Sequence, residues 1–103
     1  MKKLIETKKK FADDWFKYLQ NKIINQFQAL ENEVCKKNKK KIKNFVKRKW
    51  IKNKKKEGGG TSYLLSGGEL FDKVGVNQST VSGQFEKKFR SKILGAEKNG
   101  KYW

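Results

Sequence analysis

Seven of the nine glycines in this 103-residue chain fall between residues 57 and 83, and this glycine-rich stretch constrains the fold more than any other. Glycine reaches positive φ without steric penalty, so such a stretch is typical of short strands joined by tight turns. Residues 61–65 suit a pleated surface. Gly67-Gly68 has the composition of a two-residue hairpin turn, and residues 69–71 continue as a second strand. Residues 75–82 alternate with period two, so the stretch predicts an antiparallel β meander.

A long amphipathic helix is predicted for residues 7–35, with Thr7 as its N-cap. Apolar side chains recur there at intervals of three or four residues. We expect this helix to lie across the sheet with its aromatic side chains in the core. A membrane-surface or partner-binding helix is the alternative, although the acidic residues on its polar face are not typical of a membrane binder. The stripe consists of Phe11, Trp15, Leu19, Ile23, Phe27, Leu30 and Val34, widened by Phe16 and Ile24.

The remaining segments complete an α+β fold, a long N-terminal helix packed on an antiparallel β meander. Residues 36–44 form a lysine-rich connection or insertion, and residues 45–83 contain the strands, the first of which is an edge strand with its lysines turned to water. Helical spacing predicts a short helix over residues 84–94, ending at Gly95. Residues 96–103 are expected to form a polar turn followed by two aromatic residues, and we interpret Trp103 as a cut inside a domain.

The charge of +17 allows a nucleic-acid-binding alternative. Residues 36–56 contain 13 Lys or Arg among 21, interleaved with Phe45 and Trp50, which could stack on bases. No helix-turn-helix spacing, RNP-like aromatic pair or zinc knuckle accompanies them. Lysine outnumbers arginine 25 to 2, whereas arginine grips phosphate bidentately. We therefore favour a solvated connection, and a small basic nucleic-acid-binding protein or a partner-binding module stay open as alternatives.

The absence of histidine excludes several chemistries from this sequence. A histidine-based catalytic triad or a His-ligated metal site cannot be built, and the lone Cys35 cannot close an internal disulfide. Because unpaired cysteine is typical of reducing compartments, we expect a cytoplasmic protein. No apolar run is long enough for a membrane helix, and no signal peptide is evident. The run Gly58–Gly60 precedes a strand rather than a helix, which argues against a phosphate-binding loop.

From Trp50 to Trp103 the chain resembles the N-terminal part of the oxygen-dependent coproporphyrinogen III oxidase family. The resemblance is carried by Trp50, by EGGGTSYLL, and by the pattern G-x-x-F-[DE]-K-[AV]-G-V-N-x-S-x-V-x-G. The segment from Ile93 to Trp103 is similar to the alphaproteobacterial form, and Phe16–Gln20 matches more loosely. The residues on which the motif depends are Gly58, Gly59, Gly60, Phe71, Gly75, Val76, Asn77, Ser79 and Gly83.

The resemblance implies an enzyme of haem biosynthesis that converts two propionates of coproporphyrinogen III to vinyl groups, giving protoporphyrinogen IX. Dioxygen would be the co-substrate, with no metal and no organic cofactor, in a homodimeric enzyme with a larger helix-flanked antiparallel sheet. The motif residues would be structural or lie at the dimer interface. Gly75 and Gly83 would allow close backbone approach or a β-bulge.

Two departures from the family pattern matter. Ser82 stands where many members have histidine, and Lys36–Lys43 is interpreted as an insertion. The family's catalytic and substrate-binding residues all fall beyond Trp103, so none is assigned to this chain. The chain alone is expected to be inactive, and a truncated sheet is expected to leave an apolar helix face uncovered.

Overall fold

The computed structural model describes residues 2–52, 57–94 and 100–103. Within them the chain forms a long helix, a three-stranded sheet, a two-stranded sheet and a helix of one turn, which confirms the predicted α+β class. The elements in chain order are α1 (Lys2–Lys37), β1 (Val46–Ile51), β2 (Gly58–Ser66), β3 (Lys73–Val81), β4 (Gly83–Gln84), α2 (Lys87–Arg90) and β5 (Lys101–Tyr102).

The larger sheet is the predicted antiparallel meander, with the strand order β1-β2-β3. All six residues of β1 are exposed, as expected for an edge strand. No helix of the described residues is long and apolar enough to cross a membrane.

Contacts divide the chain into two compact units. The first comprises the chain up to Lys49 together with Thr61–Gln78. Its buried apolar side chains are Ile24, Cys35 and Leu65. The buried Gln20 amide nitrogen donates to the carbonyl oxygens of Thr61 at 2.8 Å and Val76 at 3.0 Å. Helix α1 is therefore held against both β2 and β3 by hydrogen bonds as well as apolar contact.

The second unit comprises Trp50–Gly60 and Ser79–Trp103. Here β4 pairs antiparallel with β5, Gly83 opposite Tyr102. The ring of Tyr102 stacks on that of Phe85 with centroids 4.7 Å apart. The Lys52 ammonium lies 4.9 Å from the Tyr102 ring centroid and donates to its hydroxyl. Tyr102 is thus the centre of this small aromatic cluster.

Helix α1 extends beyond the predicted range 7–35 at both ends. The predicted N-cap is wrong, because Thr7 lies inside the helix and its hydroxyl donates to the Lys3 carbonyl at 2.8 Å. Such a bond one turn back is the usual way for a mid-helix threonine to satisfy its side chain.

The predicted burial of the helix aromatics is also wrong for the N-terminal half, where Phe11, Trp15 and Phe16 are exposed. Each step of four residues advances a side chain by about 40° beyond a full turn. From Phe11 to Phe27 the stripe therefore rotates by about 160°. A run of four-residue steps winds around the helix, so its two ends lie on different faces.

The tip of the β2–β3 hairpin is displaced from its predicted position. The N–H of Gly68 donates to the Phe71 carbonyl at 2.9 Å, which places the two-residue turn at Glu69-Leu70 rather than at Gly67-Gly68. The prediction that residues 69–71 form a strand is wrong for the same reason.

The predicted helix over residues 84–94 is too long: the structure has only the single turn of α2, and Gln84 is paired with Lys101 in a sheet instead. That pairing also places Lys101 and Tyr102 in a strand, where a polar turn followed by two aromatic residues is predicted over residues 96–103. The predicted helix end at Gly95 lies outside the described residues.

Gly59 in β2 and Gly75 in β3 provide a test of close strand approach. A Cβ on Gly59 would meet the Trp50 carbonyl oxygen and lie 3.1 Å from the Ile51 Cα. At Gly75 a Cβ would make only an ordinary contact, 3.8 Å from Leu64 Cδ1. We expect Gly59→Ala to lower the free energy of unfolding by about 1–3 kcal/mol and Gly75→Ala to change it by less than about 1 kcal/mol. Urea unfolding followed by circular dichroism measures both, and equal effects would contradict the prediction.

Candidate functional site

The side chain of Glu31 binds the tip of the β2–β3 hairpin. Its carboxylate is fully buried, at 0% exposure. One oxygen accepts the N–H of Glu69 at 2.8 Å, and the other accepts those of Leu70 at 3.0 Å and Phe71 at 3.1 Å. Three successive N–H groups pointing at one anion form a backbone nest. We call Glu31 and residues 68–71 the anchored tip.

Cys35 completes the environment of this carboxylate from one turn further along α1. Its thiol donates to Glu31 Oε2 at 2.8 Å, and its side chain is buried. The two carboxylate oxygens thus accept four hydrogen bonds, which together replace the water that a buried carboxylate loses.

Gly68 makes room for the carboxylate. A Cβ at this position would lie 2.5 Å from Glu31 Oε1 and 2.8 Å from the Phe71 carbonyl oxygen. The preceding Gly67 has a φ of +66°, a conformation that other residues rarely adopt, with open space around it. The glycine pair is therefore required, but as the approach to the turn rather than as its two central residues.

The protonation states of the pair follow from these contacts. The hydrogen bond from Cys35 is the largest cause that lowers the pKa of Glu31 to about 2, against the opposing effect of burial, and the N–H groups of the tip lower it further. The hydrogen bond to Glu31 and then burial raise the pKa of the Cys35 thiol. At neutral pH the carboxylate is charged and the thiol protonated, so Cys35 is a poor nucleophile.

The motif residues are distributed between the two compact units, each described by itself. In the first, the ring of Phe71 packs edge-on against Phe27 at 5.2 Å between centroids. Gly75, Val76 and Asn77 lie in β3.

In the second unit, Gly58, Gly59 and Gly60 lie in β2 and Ser79 in β3. Gly83 lies in β4, where a Cβ would be 2.5 Å from the Tyr102 hydroxyl. The close neighbour at Gly83 is thus the Tyr102 side chain rather than backbone, and at Gly75 the nearest atoms are at ordinary contact distance. That these residues belong to a dimer interface stays a prediction.

No sequence pattern indicated that Glu31, Cys35 and Gln20 are positioning residues. The sequence does place Glu31 on the packed side of the helix, because it stands four residues after Phe27 and seven after Ile24. An acidic residue at such a position needs a buried partner. Its partners lie 38–40 residues away in sequence, which no local pattern reveals.

The Glu69 carboxylate at the anchored tip is exposed and accepts a hydrogen bond from the Asn38 amide at 3.0 Å. The Glu31 and Cys35 side chains, by contrast, have a positioning role and are not free for catalysis. The Glu31 carboxylate is fully engaged, and the thiol is buried and protonated. No cluster of three His, Cys, Asp or Glu side chains that could hold a metal ion is found in the described part of the chain.

Of the two rings proposed to stack on nucleic-acid bases, Trp50 is 41% exposed, whereas Phe45 is less accessible. Phe45 is half-buried, and its N–H donates to Gln28 Oε1 at 3.1 Å. The Gln28 amide also donates to the Lys43 carbonyl at 2.7 Å, so the end of this segment is tied to α1. The Lys47 ammonium lies 5.9 Å from the Tyr63 ring centroid within the chain itself.

Comparison with known proteins identifies the family. The family model for coproporphyrinogen III oxidase matches residues 11–102. The oxygen-dependent coproporphyrinogen-III oxidase of Rickettsia felis is 41% identical over 95 residues, which cover 92% of this chain and 33% of that protein. Those of Rickettsia typhi and Rickettsia prowazekii are each 40% identical over 96 residues with the same coverage. No solved structure gives a significant match.

The chain belongs to the coproporphyrinogen III oxidase family, a family of oxidoreductases. It spans about one third of the length of the curated relatives it matches.

Substitution of Glu31 tests the anchored tip. We expect Glu31→Ala to lower the thermal midpoint strongly, because three N–H groups lose their acceptor in a buried site. Glu31→Gln should lower it as well, since an amide nitrogen would face backbone donors. Glu33→Gln, an exposed position two residues away, is the matched control and should change the free energy of unfolding by less than about 0.5 kcal/mol. Equal midpoints for all three variants would contradict the assignment.

The pH dependence of stability gives a second test. Because the folded-state pKa of Glu31 lies at about 2, below the ordinary value of 4.5, its stabilising effect is complete above pH 4.5 and is lost as the pH falls towards 2. The difference in unfolding free energy between the wild type and Glu31→Gln should therefore shrink between pH 5 and pH 2. Urea titrations across this range measure it, and a constant difference would refute the low pKa.

Proposed function

We propose that this chain supplies the helix-and-sheet scaffold of an oxygen-dependent coproporphyrinogen III oxidase. The observation that carries the proposal is the family match over residues 11–102 together with relatives of 40–41% identity. The geometry supports it, because the hairpin that contains much of the family motif is fixed to α1 by the anchored tip.

The enzyme would act on a porphyrinogen substrate. In the reaction that the resemblance implies, two propionate groups of coproporphyrinogen III lose carbon dioxide and become vinyl groups, with dioxygen as the electron acceptor and without an organic cofactor. We further propose a homodimer that works in the cytoplasm. We assign no catalytic or substrate-binding role to a residue of this chain.

Exchange of segments with a relative tests the proposed function. In a chimera of the Rickettsia felis enzyme, this chain replaces the matched third of the sequence. We expect the chimera to convert coproporphyrinogen III to protoporphyrinogen IX in the presence of dioxygen, because the scaffold should hold the remaining two thirds in place.

The controls are the unmodified Rickettsia felis enzyme, the same enzyme without its matched third, and this chain alone, of which only the first should be active. Product formation is followed by the fluorescence of the oxidised porphyrin. A folded chimera with no more activity than the deletion variant would contradict the proposal.

A further inference from the structure

Helix α1 carries a second apolar surface on its N-terminal half. We call Leu4, Phe11, Trp15 and Tyr18 the outer stripe. These side chains are 56%, 70%, 56% and 54% exposed, respectively. Such a row of large exposed apolar groups on one helix face is more than the scattered apolar residues of an ordinary surface, and it marks an interaction site.

The spacing of the outer stripe makes it a continuous surface. Leu4, Phe11 and Tyr18 are seven residues apart, and Trp15 stands four residues after Phe11, so all four fall within about 60° of the helix circumference. The rings of Trp15 and Tyr18 are in contact, with centroids 5.6 Å apart.

The outer stripe faces away from the sheet. The side chains that α1 buries include Gln20, Ile24 and Glu31, which lie on the opposite side of the helix when 3.6 residues make one turn. A helix with apolar side chains on both sides is typically buried between two layers of structure. In the described part of the chain, the sheet supplies one such layer.

An open groove runs beside the outer stripe. It is lined by Glu6, Thr7, Lys10, Phe11 and Asp14. The Lys10 ammonium pairs with the Asp14 carboxylate at 2.8 Å along it. A side chain from a docked element could enter this groove next to the ring of Phe11.

Two observations select what covers the outer stripe. Two isolated copies of this chain would bring a net charge of +17 against another +17, which disfavours their pairing through the outer stripe; the homodimer proposed above is that of the full-length enzyme. The relatives, by contrast, have about two thirds of their length outside the region that matches this chain. That additional polypeptide is large enough to supply the second layer.

We propose that the outer stripe docks against the part of an oxygen-dependent coproporphyrinogen oxidase polypeptide that lies outside the third matched by this chain. The proposal rests on the proposed function and deepens it, because it names the surface through which the scaffold joins the rest of the enzyme. The docked face should be apolar and bordered by carboxylates, since the exposed Lys8 and Lys22 flank the outer stripe.

Oxidative footprinting tests the docking without any substitution. The 103-residue chain and the chimera with the Rickettsia felis enzyme are exposed to hydroxyl radicals, and oxidation of each side chain is measured by mass spectrometry. We expect Phe11, Trp15 and Tyr18 to lose most of their oxidation in the chimera. Tyr63, which is half-buried within the chain itself, serves as the internal reference. Equal oxidation of the outer stripe in both proteins would overturn the proposal.

A double substitution gives an independent readout. Phe11→Ser with Trp15→Ser should leave the helicity and thermal midpoint of the isolated chain unchanged, because both side chains are exposed there. In the chimera the same pair should lower the midpoint and the yield of folded protein, whereas the control Asn21→Ser, exposed on the same helix, should not. A chimera that tolerates the double substitution as well as the control would contradict docking.

The remaining outcomes separate this proposal from its rivals and from the proposed function. Concentration-dependent protection of the outer stripe in the isolated chain would overturn it in favour of a second copy. Protection by phosphatidylglycerol vesicles, with the outer stripe still oxidised in the chimera, would overturn it in favour of a membrane surface. A chimera in which the outer stripe is protected but which is inactive would support docking and contradict the proposed activity. An active chimera in which the outer stripe is still oxidised would support the proposed activity and contradict docking.

Discussion

The carboxylate of Glu31, held by three backbone N–H groups and a thiol, is the interaction on which the first compact unit depends. It fixes the hairpin tip to the helix, requires glycine at residue 68, and keeps a negative charge buried in a strongly basic chain. Loss of one partner would leave several buried groups unsatisfied at once, which is why such networks are more costly to break than a single exposed ion pair.

The packed face of α1 owes its specificity to polar as well as apolar side chains. Gln20 donates to carbonyl groups of two strands, and Gln28 both donates to and accepts from the segment that leads into β1. Because the hydrophobic effect is non-directional, apolar contact alone would allow the helix to slide or rotate on the sheet. The directional bonds of Gln20, Gln28 and Glu31 select one register of the helix along the sheet.

Much of the architecture is predictable from local pattern, and the exceptions have identifiable causes. The glycine-rich stretch indicated the meander, and helical spacing indicated α1, because both depend on neighbouring residues. The position of the hairpin tip depends on Glu31, which is remote in sequence. The exposure of Phe11 and Trp15 follows from the rotation of a four-residue repeat around the helix. The pairing of Gln84 with Lys101 likewise overrides the helical spacing of the residues between them.

The edge strand β1 has a consequence for how copies of this chain behave in solution. Within the described residues no strand pairs with its outer edge, which would offer backbone groups to another extended polypeptide. Lys47, Arg48 and Lys49 stand in succession along this strand, all exposed. Two such edges cannot approach without bringing ammonium and guanidinium groups together. The strand therefore carries its own protection against aggregation by strand addition, and neutralising these three charges would remove that protection while also removing the Lys47 ammonium from the Tyr63 ring.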